Sequence, residues 1–114
     1  MAARGREDRN VRVLVVGWFS FLDGEATAGD VGAAETVCTE LDAAGITHET
    51  AWSPHFRPEG LDLDDAEERD YSDLVFVCGP LSGPQVQDLH RRFPRCHRVA
   101  VGVSVVDPED PAAR

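Results

Sequence analysis

The stretch 11–16, Val-Arg-Val-Leu-Val-Val, constrains the fold more than any other part of the chain. It is apolar everywhere but Arg12, rich in β-branched residues, and it halts at Gly17. A short run of that kind suits a strand buried on both faces, and such strands belong to parallel sheets covered by helices. Residues 74–78, Leu-Val-Phe-Val-Cys, repeat the pattern and halt at Gly79-Pro80.

The sequence supplies helices to cover them. Val31, Ala34, Val37, Cys38 and Leu41 recur at helical spacing, so a helix is expected over 30–44, with Gly45 at its end and Asp30 in its first turn. Val86, Leu89, His90 and Phe93 follow at i, i+3, i+4, i+7, behind a Ser82-Gly83-Pro84 start signal and ahead of Pro94. Weaker strand patterns cover 47–52 and 98–106, and 53–72 reads as loop with at most one helical turn. The resulting alternation predicts an α/β fold: a three-layer, Rossmann-like or flavodoxin-like parallel sheet of about four strands in the order 2-1-3-4. It occupies residues 11–107 as one lobe, between a disordered tail at 1–10 and a Pro-rich tail at 108–114.

Composition narrows the chemistry. All eleven basic residues are arginine. Without lysine there is neither a Walker A phosphate loop nor a pyridoxal Schiff base. The net charge of −10 argues against nucleic acid, whose backbone demands a basic face. No segment has the roughly 18 apolar residues of a membrane span, and the charged start does not read as a secretory signal. Cys38, Cys78 and Cys96 are too dispersed for a disulfide framework, so free thiols in a reducing cytoplasm are expected.

In sheets of this kind ligands bind beyond the carboxyl ends of the strands. Thr27-Ala28-Gly29-Asp30 opens a helix whose free N–H groups suit an anion, or it is an ordinary cap. Gly79-Pro80-Leu81-Ser82-Gly83 repeats a small-residue loop running into a helix. Trp18 and Phe19 either stack on a sugar ring or pack against a helix, and Arg57 is the basic residue available to an anion in these loops. Cys78 is a small hydrophobe or, with His55 as partner, a nucleophile. Gly102-Val103-Ser104 has the start of a nucleophile elbow but lacks its second glycine and its helix, which leaves Ser104 as a polar strand end facing the cleft. The four histidines show no ligand spacing and the acids at 62–70 read as a solvated loop, so neither a metal nor a cofactor is expected.

Gly17-Trp18-Phe19 closing a strand, Ala28-Gly29-Asp30 opening a helix, the strand 73–79 ending in glycine, and Gly102-Val103-Ser104 together resemble the amino-terminal lobe of the polysaccharide pyruvyl transferases. The resemblance runs over about 11–106. The chain departs from it where the family usually has Asn-x-Gly-Asp, here Thr27-Ala28-Gly29-Asp30, and where the family has a run of glycines, here Gly79-Pro80. It implies transfer of a pyruvyl group from phosphoenolpyruvate to a sugar, in a cleft between two lobes. The arginines and histidine that hold the phosphoenolpyruvate lie in the family's carboxyl-terminal lobe. On this reading Gly17, Trp18, Thr27, Gly29, Asp30, Arg57, Gly79, Ser82 and Ser104 bind substrate, catalytic residues stay unassigned, and the isolated chain is inactive. Its partners are a sugar, a phosphoenolpyruvate-like anion, and either a second copy of the chain or the missing lobe. The alternative is a flavodoxin-like binding or interaction module without catalysis.

Overall fold

The computed structural model describes residues 11–21, 26–104 and 109–113. Five parallel strands form one sheet: β1 (Arg12–Val16), β2 (Thr47–Trp52), β3 (Leu61–Asp62), β4 (Asp73–Pro80) and β5 (His97–Ser104). Helices α1 (Ala28–Ala43) and α2 (Pro84–Arg92) lie on opposite faces of it. The α/β class and the parallel sheet are as expected, but the strand count and order are not. The order is β3-β2-β1-β4-β5, not a four-strand 2-1-3-4, because the segment read as loop contributes an edge strand. Leu61 and Asp62 pair with Ala51 and Trp52; two residues carry no period-2 pattern to betray them. The same segment also holds two 3-10 turns, Leu63–Asp65 and Glu68–Asp70.

The doubly buried strands divide the core between the two faces. Val13, Val15, Val75 and Val77 point to the α1 side, where Ala34 and Phe19 are buried with them. Leu14, Val16, Leu74 and Phe76 point to the α2 side, against Val86, Leu89 and Phe93. The α2 stripe is the one its spacing predicts, and Gly83 caps the helix with Pro84 at its first position. Among the described residues of the tail, Pro111–Ala113 form a 3-10 turn that docks Ala112, fully buried, into the α2-side core. Residues 1–10, which carry the expected disordered tail, and Val105 to Asp107 of the expected fourth strand and its loop lie outside the described residues. Among the described residues no helix is long and apolar enough to cross a membrane.

Candidate functional site

The loop after β1 is anchored to both neighbouring strands. Ser20 Oγ donates to the Ala51 carbonyl at 2.7 Å and accepts from Gly17 N at 3.1 Å. Ser53 N donates to the Phe19 carbonyl at 2.8 Å, tying the loop to the end of β2. On the other side Trp18 Nε1 donates to the Pro80 carbonyl at 2.9 Å, tying it to the end of β4. Two glycines make this possible. A Cβ at Gly17 would lie 2.5 Å from the Phe19 ring and 3.0 Å from the Val77 carbonyl. One at Gly79 would lie 2.8 Å from Trp18 Cδ1, on a backbone at φ +83°. Phe19 is buried against Trp52, ring centroids 4.8 Å apart, so it is a packing residue. Trp18 crosses Phe21 edge-on at 5.1 Å.

The amino terminus of α1 faces the end of β4. Thr27 is the N-cap: its Oγ1 accepts from Asp30 N at 3.3 Å, while its own N–H donates to Asp30 Oδ2 at 2.9 Å. This reciprocal capping box satisfies two of the donors that a helix start leaves over. The neighbouring Cys78 side chain, followed by the Thr27 backbone, holds the Asp30 carboxyl below the usual 3.8. Asp30 in turn, with burial, pushes the Cys78 thiol up. The protonated thiol of Cys78 is therefore favoured beside the carboxylate.

That pairing depends on a backbone irregularity. Strict alternation along β4 would send Cys78 to the α2 side, with Leu74 and Phe76. Instead Cys78 sits at φ +64°, a conformation rare for a residue with a Cβ, and packs with the α1-side cluster. The β4–β5 ladder passes from Val77↔Val101 to Gly79↔Val103, and at the intervening rung Gly102 is also at positive φ, +66°. Both strands turn together at this point, which aims the thiol at Asp30.

The structure thus brings together Gly17, Trp18, Thr27, Asp30 and Gly79 at the adjacent ends of β1 and β4, where the sheet order reverses. Gly29 lies exposed in the first turn of α1; a Cβ there would meet only Thr27 Oγ1, at 3.5 Å. The other predicted residues stand elsewhere. Arg57 lies with its guanidinium 4.3 Å from the centroid of the Trp52 ring, in a hollow of about 280 Å³ beside Glu35, Cys38 and Thr39 in the middle of α1. Ser82 follows buried Leu81 in the connection to α2, and Ser104 ends β5 opposite Pro80. His55, the expected partner of Cys78, sits in the exposed turn after β2, its N–H donating to Ser53 Oγ at 3.2 Å; Asp30 takes the place given to it. Among the described residues no three His, Cys, Asp or Glu side chains gather to hold a metal ion.

One feature of this site escaped the sequence, and another was open in it as an ordinary cap. The Cys78–Asp30 contact has no local signature, because it needs the positive φ of Cys78. The capping box did have one, Thr27-x-x-Asp30, with aspartate in the place usually held by glutamate. Comparison of the chain with protein-family models, with curated proteins and with solved structures gave no match.

Proposed function

We propose that the chain is the amino-terminal lobe of a pyruvyl-transferase-like protein and holds the sugar acceptor rather than the phosphoenolpyruvate. One observation carries this reading: a carboxylate, Asp30, stands at the reversal point of the sheet, beside two glycine-lined strand ends. A carboxylate already seated on the α1 amino terminus repels a phosphate but accepts a hydrogen bond from a hydroxyl. Arg57, the one basic group of the strand-end loops, lies against Trp52 and not at that helix terminus. Cationic groups for phosphoenolpyruvate would have to come from the second lobe. In the overall reaction two sugar hydroxyls add to C2 of phosphoenolpyruvate and the C2–O bond to phosphate breaks. One hydroxyl proton ends on the new methyl carbon and the other leaves with the phosphate. Asp30 would orient an attacking hydroxyl and draw its proton.

The test is an amide-shift titration of the 15N-labelled chain with a panel of neutral sugars, and separately with phosphoenolpyruvate, alongside a phosphate-release assay. The expected result is a sugar that moves the amides of Gly17, Gly29, Asp30 and Gly79, no comparable response to phosphoenolpyruvate, and no phosphate released. Phosphate release by this chain alone would overturn the one-lobe assignment. Silence at those amides with every sugar would overturn the acceptor assignment.

A specific observation favours the second reading, an interaction module. β5 is the outer strand of the sheet, and Val99 and Val101 on its α1-side face are 41% and 42% exposed. An edge with apolar side chains above it is a template for another strand. Under that reading the sugars leave the strand-end amides unmoved. The solution mass rises with concentration, and Val101→Arg abolishes the rise.

A further inference from the structure

A cavity of about 650 Å³ among the described residues belongs to neither reading. It opens on the α2 side of the sheet, whereas Asp30 and Cys78 belong to the α1 side. Its size is that of a small-molecule site. The floor is apolar, made by Phe21, Leu63 and Leu89, all buried. The rim is polar: Asp62 ends β3, Asp64 lies in the turn after it, and Gln85 and Asp88 come from α2.

The rim's charges choose the ligand. Three carboxylates face the space and one guanidinium does, that of Arg92. Arg92 is committed, donating through Nη2 to the carbonyls of Leu63 at 2.8 Å and Ala66 at 3.2 Å, with Nη1 at 3.6 Å from Asp64 Oδ1. Its charge is therefore offset by Asp64, and its Nη2 donors are occupied. Asp62 uses Oδ1 to accept from Asp64 N at 3.0 Å and has no cation against it among the described residues. Asp88 meets Arg91 at 2.8 Å, but both side chains are well exposed, and a pair of that kind is worth little. An anion entering here meets uncompensated negative charge, while a cation meets acceptors over an apolar floor.

We infer that this cavity binds an organic ammonium: a protonated amine that lies between Asp62 and Asp88 and is carried on an apolar body resting on Phe21, Leu63 and Leu89. This does not depend on the transferase reading, and its failure is read at different amides.

Three probes of one shape separate charge from fit: tryptamine, tryptophol and indole-3-acetate carry an ammonium, a hydroxyl and a carboxylate on the same indole. Titrated into the 15N-labelled chain, tryptamine is expected to move the amides of Ser20, Phe21, Gln85 and Asp88 as a single site. Tryptophol should bind more weakly and indole-3-acetate not at all. Asp62→Asn keeps an oxygen for Asp64 N and should weaken tryptamine by about tenfold. Arg91→Ala, at an exposed position, should tighten it by releasing Asp88. Equal response to tryptamine and tryptophol overturns the inference. So does an unchanged affinity in Asp62→Asn, or a tryptamine response centred on Asp65 and Asp70 instead of the cavity, the mark of diffuse attraction to an acidic surface.

Discussion

At the scale of single residues, Cys78 and its carboxylate partner make a measurable pair. Asp30 raises the Cys78 thiol, so the thiolate is scarce at neutral pH. Asp30→Asn removes the charge and keeps a side chain able to cap. We expect Cys78 to alkylate with iodoacetamide several times faster in that variant at pH 8, by peptide mass spectrometry with Cys38 as internal control. An unchanged rate would mean that burial, not Asp30, protects the thiol. The glycines give a matched comparison. Gly79→Ala places a methyl 2.8 Å from Trp18 on a backbone at φ +83°, which costs on the order of 2 kcal/mol. Gly29→Ala puts its methyl in ordinary contact with Thr27 Oγ1 on a helix, gaining up to about 1 kcal/mol. Urea unfolding followed by Trp fluorescence reads both. If Gly29 is there to admit a ligand, its alanine variant is the more stable protein and the poorer sugar binder.

At the scale of elements, α1 is held at its start more than along its length. Among its residues only Ala34 is buried, while Val31, Ala33, Val37, Cys38 and Leu41 are half-exposed. A helix covering the sheet so lightly leans on its cap. Thr27→Ala should therefore cost about 1 kcal/mol and lower the melting temperature by roughly 4–8 °C. Hydrogen exchange should quicken first at residues 30–33. Asp30 adds an acid limb to the same effect. Its carboxyl lies below the ordinary 3.8, so its contribution is complete above that value and is lost as pH falls through the lowered folded one. In Asp30→Asn that part of the acid unfolding curve flattens. The two helices and four longer strands were legible because burial leaves its mark on apolar residues, as a period on α2 in Val86, Leu89 and Phe93 and as an unbroken run in Val13 to Val16 of β1. What stayed hidden obeys no period. β3 is two residues recruited by pairing with Ala51 and Trp52, and Cys78 faces α1 because its backbone breaks the alternation of its strand. Arg57 shows the same limit for the site: its loop follows a strand end, yet attraction to the Trp52 ring draws its guanidinium to the flank of α1.

At the scale of the molecule, charge sets the stability. The chain carries −10 on a body of 43 × 32 × 24 Å. At about 0.01 M salt the screening length is ~30 Å, so acids on opposite sides of the body repel one another. At physiological ionic strength it is about 8 Å, and only neighbours interact. Salt also weakens attractions, but the ion pairs set against this repulsion are exposed or half-exposed: Arg69–Glu67, Arg91–Asp88, Arg92–Asp64 and Arg12–Glu49. Pairs of that kind contribute roughly 0–1 kcal/mol each. Repulsion wins, most strongly along the turns after β3, where Asp62, Asp64, Asp65, Glu67, Glu68 and Asp70 are separated only by Leu63, Ala66 and Arg69. Raising sodium chloride from about 0.01 to 0.15 M should therefore stabilise the fold by on the order of 1 kcal/mol, a rise of about 4 °C in melting temperature by circular dichroism. Asp65→Asn, at an exposed position, should raise the melting temperature in low salt and shrink the further gain from added salt. A melting temperature that falls with salt would show instead that the arginine pairs, with Arg12–Glu49 across β1 and β2 foremost, outweigh the repulsion between the acids.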